Sequence, residues 1–124
     1  MPNEPKPFSI KARLKSFVYA WKGIIHFFRT EHNAQIHLGA TVVVIVLSLT
    51  MHLTKPEAIT VIFAIASVWI TEMLNTAIEK AMDFISLERH PEIKIIKDLA
   101  AGAVLVAAIA AVITGCMVFI PKIF

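Results

Sequence analysis

The sequence predicts an all-α membrane protein, with one N-terminal amphipathic helix on the membrane surface and three membrane-spanning helices after it. Three observations carry this reading. Hydrophobic residues make up 57% of the 124 and charged residues 17%, and the mean hydropathy is +0.73. A soluble domain of this size has too little interior for that much apolar surface, whereas a bilayer needs none of it hidden. Three apolar runs are each long enough, with their flanks, to approach the ~20 residues that cross a ~30 Å hydrocarbon core. One of them continues into a row of acidic and amide side chains, which lipid tolerates only for a reason.

The first element is expected over residues 9–30. Ile10, Leu14, Phe17, Val18, Trp21, Ile24, Ile25 and Phe28 recur at helical spacing, and Lys11, Lys15, Lys22, His26 and Arg29 take the other face. That pattern describes a helix lying in the bilayer interface, with Tyr19 and Trp21 at headgroup level. Its main expected role is anchoring, with a second role in covering a site. The three spans follow at about 34–53, 57–85 and 91–120. The segment Thr54-Lys55-Pro56-Glu57 is expected to form a tight turn between the first two. Ser86 to about Pro91 makes the second connection, with Pro91 in the first turn of the last helix. The third span carries Ala103, Ala107, Ala111 and Gly115 at every fourth position, a face that lets helices approach closely. Three spans make a thin bundle, so self-association is expected. Residues 1–124 read as one domain.

Charge sets the orientation. Six basic residues precede the first span (Lys6, Lys11, Arg13, Lys15, Lys22, Arg29), Lys55 alone lies between the first two, and Lys80, Arg89, Lys94 and Lys97 surround the second connection. By the positive-inside rule the N-terminus and the second connection face the cytoplasm. The net charge of +3 is thus distributed for a membrane surface, and no nucleic-acid partner is expected. The first thirty residues lack a continuous apolar core, so no cleavable signal is expected. The single Cys116 excludes an internal disulfide and reads as inert packing. The five histidines show no metal-ligand spacing.

Glu72, Asn75, Glu79 and Asp83 lie on one stripe of the second span, since offsets of 3, 7 and 11 residues return to one helix face. If that span enters lipid near Glu57, Glu72 lies about 22 Å along the axis, Glu79 about 33 Å and Asp83 about 39 Å. The stripe then descends from the inner leaflet through the headgroups to the cytosol. A site built this way reaches a lipid headgroup and a soluble ligand together. Acids on one intramembrane face point to a metal or a proton. The plainer alternatives are an interhelical hydrogen bond for Glu72, helix glue for Asn75, a weak surface pair for Glu79, solvation for Asp83 and a helix cap for Glu31. The chain has four glycines and no phosphate-cradling G-x-x-x-x-G-K-[ST] loop.

The stretch Glu72-Met73-Leu74-Asn75-Thr76-Ala77-Ile78-Glu79, with Asp83 after it, resembles the E-x-x-N-[ST]-A-I-E motif of the small bacterial lipid kinases, the prokaryotic diacylglycerol kinase and undecaprenol kinase family. Lys97-Asp98-Leu99-Ala100-Ala101-Gly102-Ala103-Val104-Leu105 is similar to that family's K-D-x-[AS]-[AS]-[AG]-A-V-L segment. Tyr19-Ala20-Trp21-Lys22-Gly23 and Glu31 resemble its N-terminal pattern, and Arg13 is the counterpart of its N-terminal arginine.

The resemblance implies a homotrimer in the bacterial inner membrane that transfers the γ-phosphate of ATP, with Mg²⁺, to the hydroxyl of a membrane lipid alcohol. It implies Glu72 as catalytic base and Glu31 and Glu79 as metal ligands. Nucleotide contacts map to Arg13, Tyr19, Glu31, Asn75, Glu79, Glu88, Lys97 and Asp98. Asn33, Gln35, His37, Glu72 and Ala101 are the lipid-side candidates. Mg²⁺ suits this set, because it takes one or two carboxylates plus substrate phosphates. Lys97 near a helix N-terminus favours anions. The run from Glu31 to His37 is closer to the undecaprenol kinase pattern, E-x-N-x-x-I-H. The rival reading is a small proton- or cation-coupled carrier, which also uses membrane carboxylates. Such a carrier would set its acid near the midplane on broken helices.

Overall fold

The computed structural model describes residues 3–124, and among these it is wholly helical. Four helices follow one another: α1 Ile10–Thr30, α2 His32–Thr50, α3 Lys55–Ile85 and α4 Pro91–Ile123. The last three are long and apolar enough to cross a membrane. This is the all-α, three-span fold class expected from composition and apolar runs.

Ser9 caps α1, its hydroxyl accepting from the Ala12 amide at 3.3 Å. Most of the apolar stripe of α1, including Ile10, Leu14, Phe17 and Trp21, is uncovered within the chain. An apolar face left bare beside a basic one is what an interfacial helix presents to lipid. The buried residue of α1 is Phe27, outside the expected stripe. It falls where α1 meets α2, so contact with α2 there outweighs the stripe's periodicity. A single extended residue, Glu31, separates the two helices, with φ −104° and ψ 122°.

The turn between α2 and α3 differs from expectation. Thr54 to Glu57 do not form it; Thr54 is the N-cap of α3 and the next three residues are its first turn. The Glu57 amide donates to the Thr54 hydroxyl at 3.4 Å, and the Thr54 amide donates to the Glu57 carboxylate at 2.9 Å. This reciprocal pair satisfies two amides that a helix start otherwise leaves open. Pro56 in the first turn has no amide to lose there. The reversal instead falls at residues 51–54, where His52 takes φ 52°. Pro91 opens α4 as expected, behind His90, whose Nδ1 accepts from the Glu92 amide at 3.2 Å. The last helix continues through Pro121 to Ile123.

Helices α3 and α4 form the main antiparallel pair, and α2 packs more lightly on α3. Ion pairs close the hairpin at both ends: Lys97 to Asp83 at 2.6 Å and Lys122 to Glu57 at 2.9 Å. Twenty-five residues of α4 separate the two lysines, a rise of about 38 Å. The charges therefore bracket a hydrocarbon slab of ~30 Å. The small apolar core of Val61, Val118 and Phe119 lies toward the Lys122 end, with Val44, Leu47 and Ile65 against it. Cys116 is exposed on α4 within the apolar span.

Candidate active site

The candidate site lies along the seam between α2 and α3. Three polar contacts cross it in register. Glu31 lies 3.6 Å from Lys80, His37 Nε2 lies 3.0 Å from Glu72 Oε1, and Trp69 Nε1 donates to Thr41 Oγ1 at 2.9 Å. Moving six residues along α2 from Glu31 to His37 is matched by eight back along α3 from Lys80 to Glu72. The next four, to Thr41, are matched by three. An antiparallel helix pair gives this correspondence, since each advance on one helix is a retreat on the other.

Glu72 is the single buried charged residue, 5% exposed, among the described residues. It sits about 16 Å from the Asp83 end of the hairpin and about 22 Å from Glu57, counting rise. A carboxylate at that depth needs partners, because lipid offers none. His37 is one of them, and a second interhelical bond lies one turn away. Thr41 Oγ1 donates to the His37 carbonyl at 2.7 Å while accepting from Trp69. Phe28 at the end of α1 packs on Trp69, with ring centroids 4.5 Å apart. One turn from Glu72, the Asn75 side-chain oxygen is buried with no hydrogen-bond partner. A buried acceptor without a donor is costly and marks the place where a further group is wanted.

Two cavities lie along the bundle. The inner one, about 460 Å³, is apolar and runs from His37, Thr41 and Trp69 past Val61 to Gly115 and Phe119. The outer one, about 720 Å³, lies at the α3–α4 connection and is lined by Asp83, Glu88, Arg89, His90, Lys97 and Asp98. Both lysines at its wall are paired, Lys97 with Asp83 and Lys94 with Asp98.

The site residues expected from sequence are brought together in part. Glu88, Lys97 and Asp98 share the outer cavity. Glu31 approaches Lys80, the neighbour of Glu79, and Glu79 itself is exposed. Arg13 and Tyr19 are exposed on α1 and are not part of that cavity's wall. Of the five lipid-side candidates, only His37 and Glu72 are joined by a side-chain bond among the described residues. Asn33, Gln35 and Ala101 are exposed. Asp83 pairs with Lys97 while its side chain stays half exposed. Sequence reasoning missed Thr41, Trp69 and Lys80. Thr41 and His37 are four residues apart on one face of α2, and that spacing was the available signal for the first.

The fold and the seam define a helical membrane protein with a buried carboxylate within a long apolar helix and a charged cavity beyond it. Residues 18–119 match the family of prokaryotic diacylglycerol kinase. The chain is 40% identical over 109 residues to an undecaprenol kinase of Bacillus subtilis, covering 88% of this chain and 89% of that one. It is 46% identical over 114 residues to a diacylglycerol kinase of Synechocystis sp., covering 89% of this chain and 63% of that longer protein. It is 32% identical over 104 residues to a diacylglycerol kinase of Escherichia coli, covering 84% and 85%. The chain belongs to the prokaryotic diacylglycerol kinase family. It is accordingly a lipid kinase of the membrane, and the carrier reading has no support.

Proposed function

We propose that the chain transfers the γ-phosphate of Mg-ATP to the hydroxyl of a membrane lipid alcohol at the cytoplasmic face of the bacterial inner membrane, with the N-terminus on the cytoplasmic side and three copies forming the enzyme. The observation that carries the proposal is Glu72: a buried carboxylate at inner-leaflet depth, between an apolar cavity and a charged one.

Glu72 serves as the base. The acceptor's hydroxyl enters beside its carboxylate, with hydrocarbon along the apolar cavity that starts at His37. The alcohol's O–H bond breaks and its proton passes to Glu72. The alcohol oxygen bonds to the γ-phosphorus as the bond to the β-phosphate oxygen breaks, and ADP leaves. Charge on the phosphates must be neutralised for this, and positioning supplies most of the rest. Lys97, at the wall of the outer cavity near the start of α4, contributes a cation there, and the helix start contributes its dipole. Asp98 and Glu88 line the same cavity; Arg13 and Tyr19 reach the nucleotide from α1, in the assembled enzyme.

The residues present fit a hard divalent cation. Glu31 on the seam, the exposed Glu79 and the unpartnered Asn75 oxygen all offer oxygen ligands. No three His, Cys, Asp or Glu side chains converge into a cage among the described residues, so the remaining ligands are phosphate oxygens and water, as Mg²⁺ prefers. When bound, Mg²⁺ supplies charge neutralisation on the triphosphate. Lys80 holds Glu31 at the mouth of this set until then.

The acceptor is undecaprenol in preference to diacylglycerol. The run from Glu31 through Asn33 to His37 supports that order. The test is side-by-side turnover of a short polyprenol and a short-chain diacylglycerol by purified protein with Mg-ATP. Faster phosphorylation of the polyprenol is expected. Turnover of neither would overturn the proposal.

A further inference from the structure

The contact between His37 and Glu72 leaves the carboxylate in an asymmetric state. His37 Nε2 engages Oε1 at 3.0 Å, while Oε2 has no hydrogen-bond partner among the described residues. The two side chains differ in exposure, 26% for His37 against 7% for Glu72, so the ring is the more open of the pair and lines the apolar cavity. The helices carrying the pair are tied beside it: Thr41, one turn from His37 on α2, accepts from the Trp69 indole of α3 and donates to the His37 carbonyl. Among the described residues no other side chain forms an ion pair with either member.

We propose that His37 is a positioning residue for Glu72: its Nε2–H holds Oε1, fixes the carboxylate plane and turns Oε2 toward the acceptor's hydroxyl. The inference rests on Glu72 being the base. A carboxylate on a flexible two-carbon stem explores several rotamers, and only a few aim a lone pair at a substrate proton. A charge-assisted hydrogen bond in a low-dielectric seam is strong enough to choose among them. A bond that only tied α2 to α3 would serve equally well with either oxygen and would leave no mark on kcat.

The test compares His37→Ala, His37→Asn and His37→Gln in the full-length protein, with thermal midpoint, kcat and both KM values for each. Glutamine places an amide N–H near the position of Nε2, whereas asparagine is too short. The expected result is a fall in kcat of about ten- to a hundredfold for Ala and Asn, with the KM for ATP within about twofold, and recovery to within about threefold for Gln. If Ala fails to fold, the polar and smaller Asn variant carries the same comparison. Wild-type kcat in the Asn variant, or equal loss in Gln and Asn, would overturn the proposal. Glu72→Gln is assayed alongside. If it turns over normally, the base assignment fails. If it is inactive while His37→Asn runs at the wild-type rate, the positioning role alone fails.

Discussion

Lys97 Nζ lies 2.6 Å from Asp83 Oδ1, tying α4 to α3 at the end of the hairpin where the outer cavity opens. Both side chains are well exposed, so the pair contributes little to stability, at most ~1 kcal/mol. Its consequence is placement: it holds an ammonium at the cavity wall. Replacing Lys97 with Met should raise the KM for ATP about tenfold or more and leave the thermal midpoint almost unchanged. Steady-state kinetics across an ATP titration would check this, and an unchanged KM would remove Lys97 from the nucleotide site.

Glu31 is held by Lys80 at 3.6 Å. A cation that binds Glu31 must displace that ammonium. Lys80→Met should therefore lower the Mg²⁺ concentration needed for half-maximal rate, and Glu31→Gln should raise it. A Mg²⁺ titration at fixed ATP reads both. Shifts in the same direction for the two variants would contradict the arrangement.

The Trp69–Thr41 bond crosses the same seam one turn from Glu72. Interhelical hydrogen bonds in membranes are worth about 0.6 kcal/mol on average and ~1.7 at most. Trp69→Phe keeps the ring against Phe28 but loses the indole donor. Unfolding in detergent should show a loss in that range, together with a measurable drop in turnover because α2 is tied less firmly to α3 beside the His37–Glu72 pair. A loss several times larger would mean that Trp69 carries packing not evident in one chain.

Lys122 and Glu57 close the far end of the hairpin at 2.9 Å, away from both cavities' charged residues. Glu57 is also half of the cap of α3. Glu57→Gln weakens the ion pair but keeps an acceptor for the Thr54 amide. A small loss of thermal stability is expected, shrinking further in high salt, with kcat intact.

Much of this architecture was legible in the residues. Apolar runs gave the spans, and lysine placement gave an orientation to test. The row from Glu72 to Asp83 gave a stripe because helical periodicity is local. What escaped was set by relations between helices. The pairing of His37 with Glu72, or of Lys80 with Glu31, depends on the register of α2 against α3, and no spacing within one helix encodes it. The sequence places His37 among the lipid-side candidates without showing its contact with Glu72. The turn at residues 51–54 was misplaced for a different reason. Pro56 was read as a turn residue, although Thr54 and Glu57 three residues apart already spell a helix start. The exposed apolar faces of α1 and of the spans are not covered within the chain, and a bilayer accommodates such faces.

The most direct test of the central claim is single-turnover phosphorylation of a lipid alcohol by Glu72→Gln, with nucleotide binding measured on the same preparation. The expected result is a loss of the chemical step by about 10² or more with Mg-ATP binding retained. Phosphorylation at the wild-type rate would contradict it.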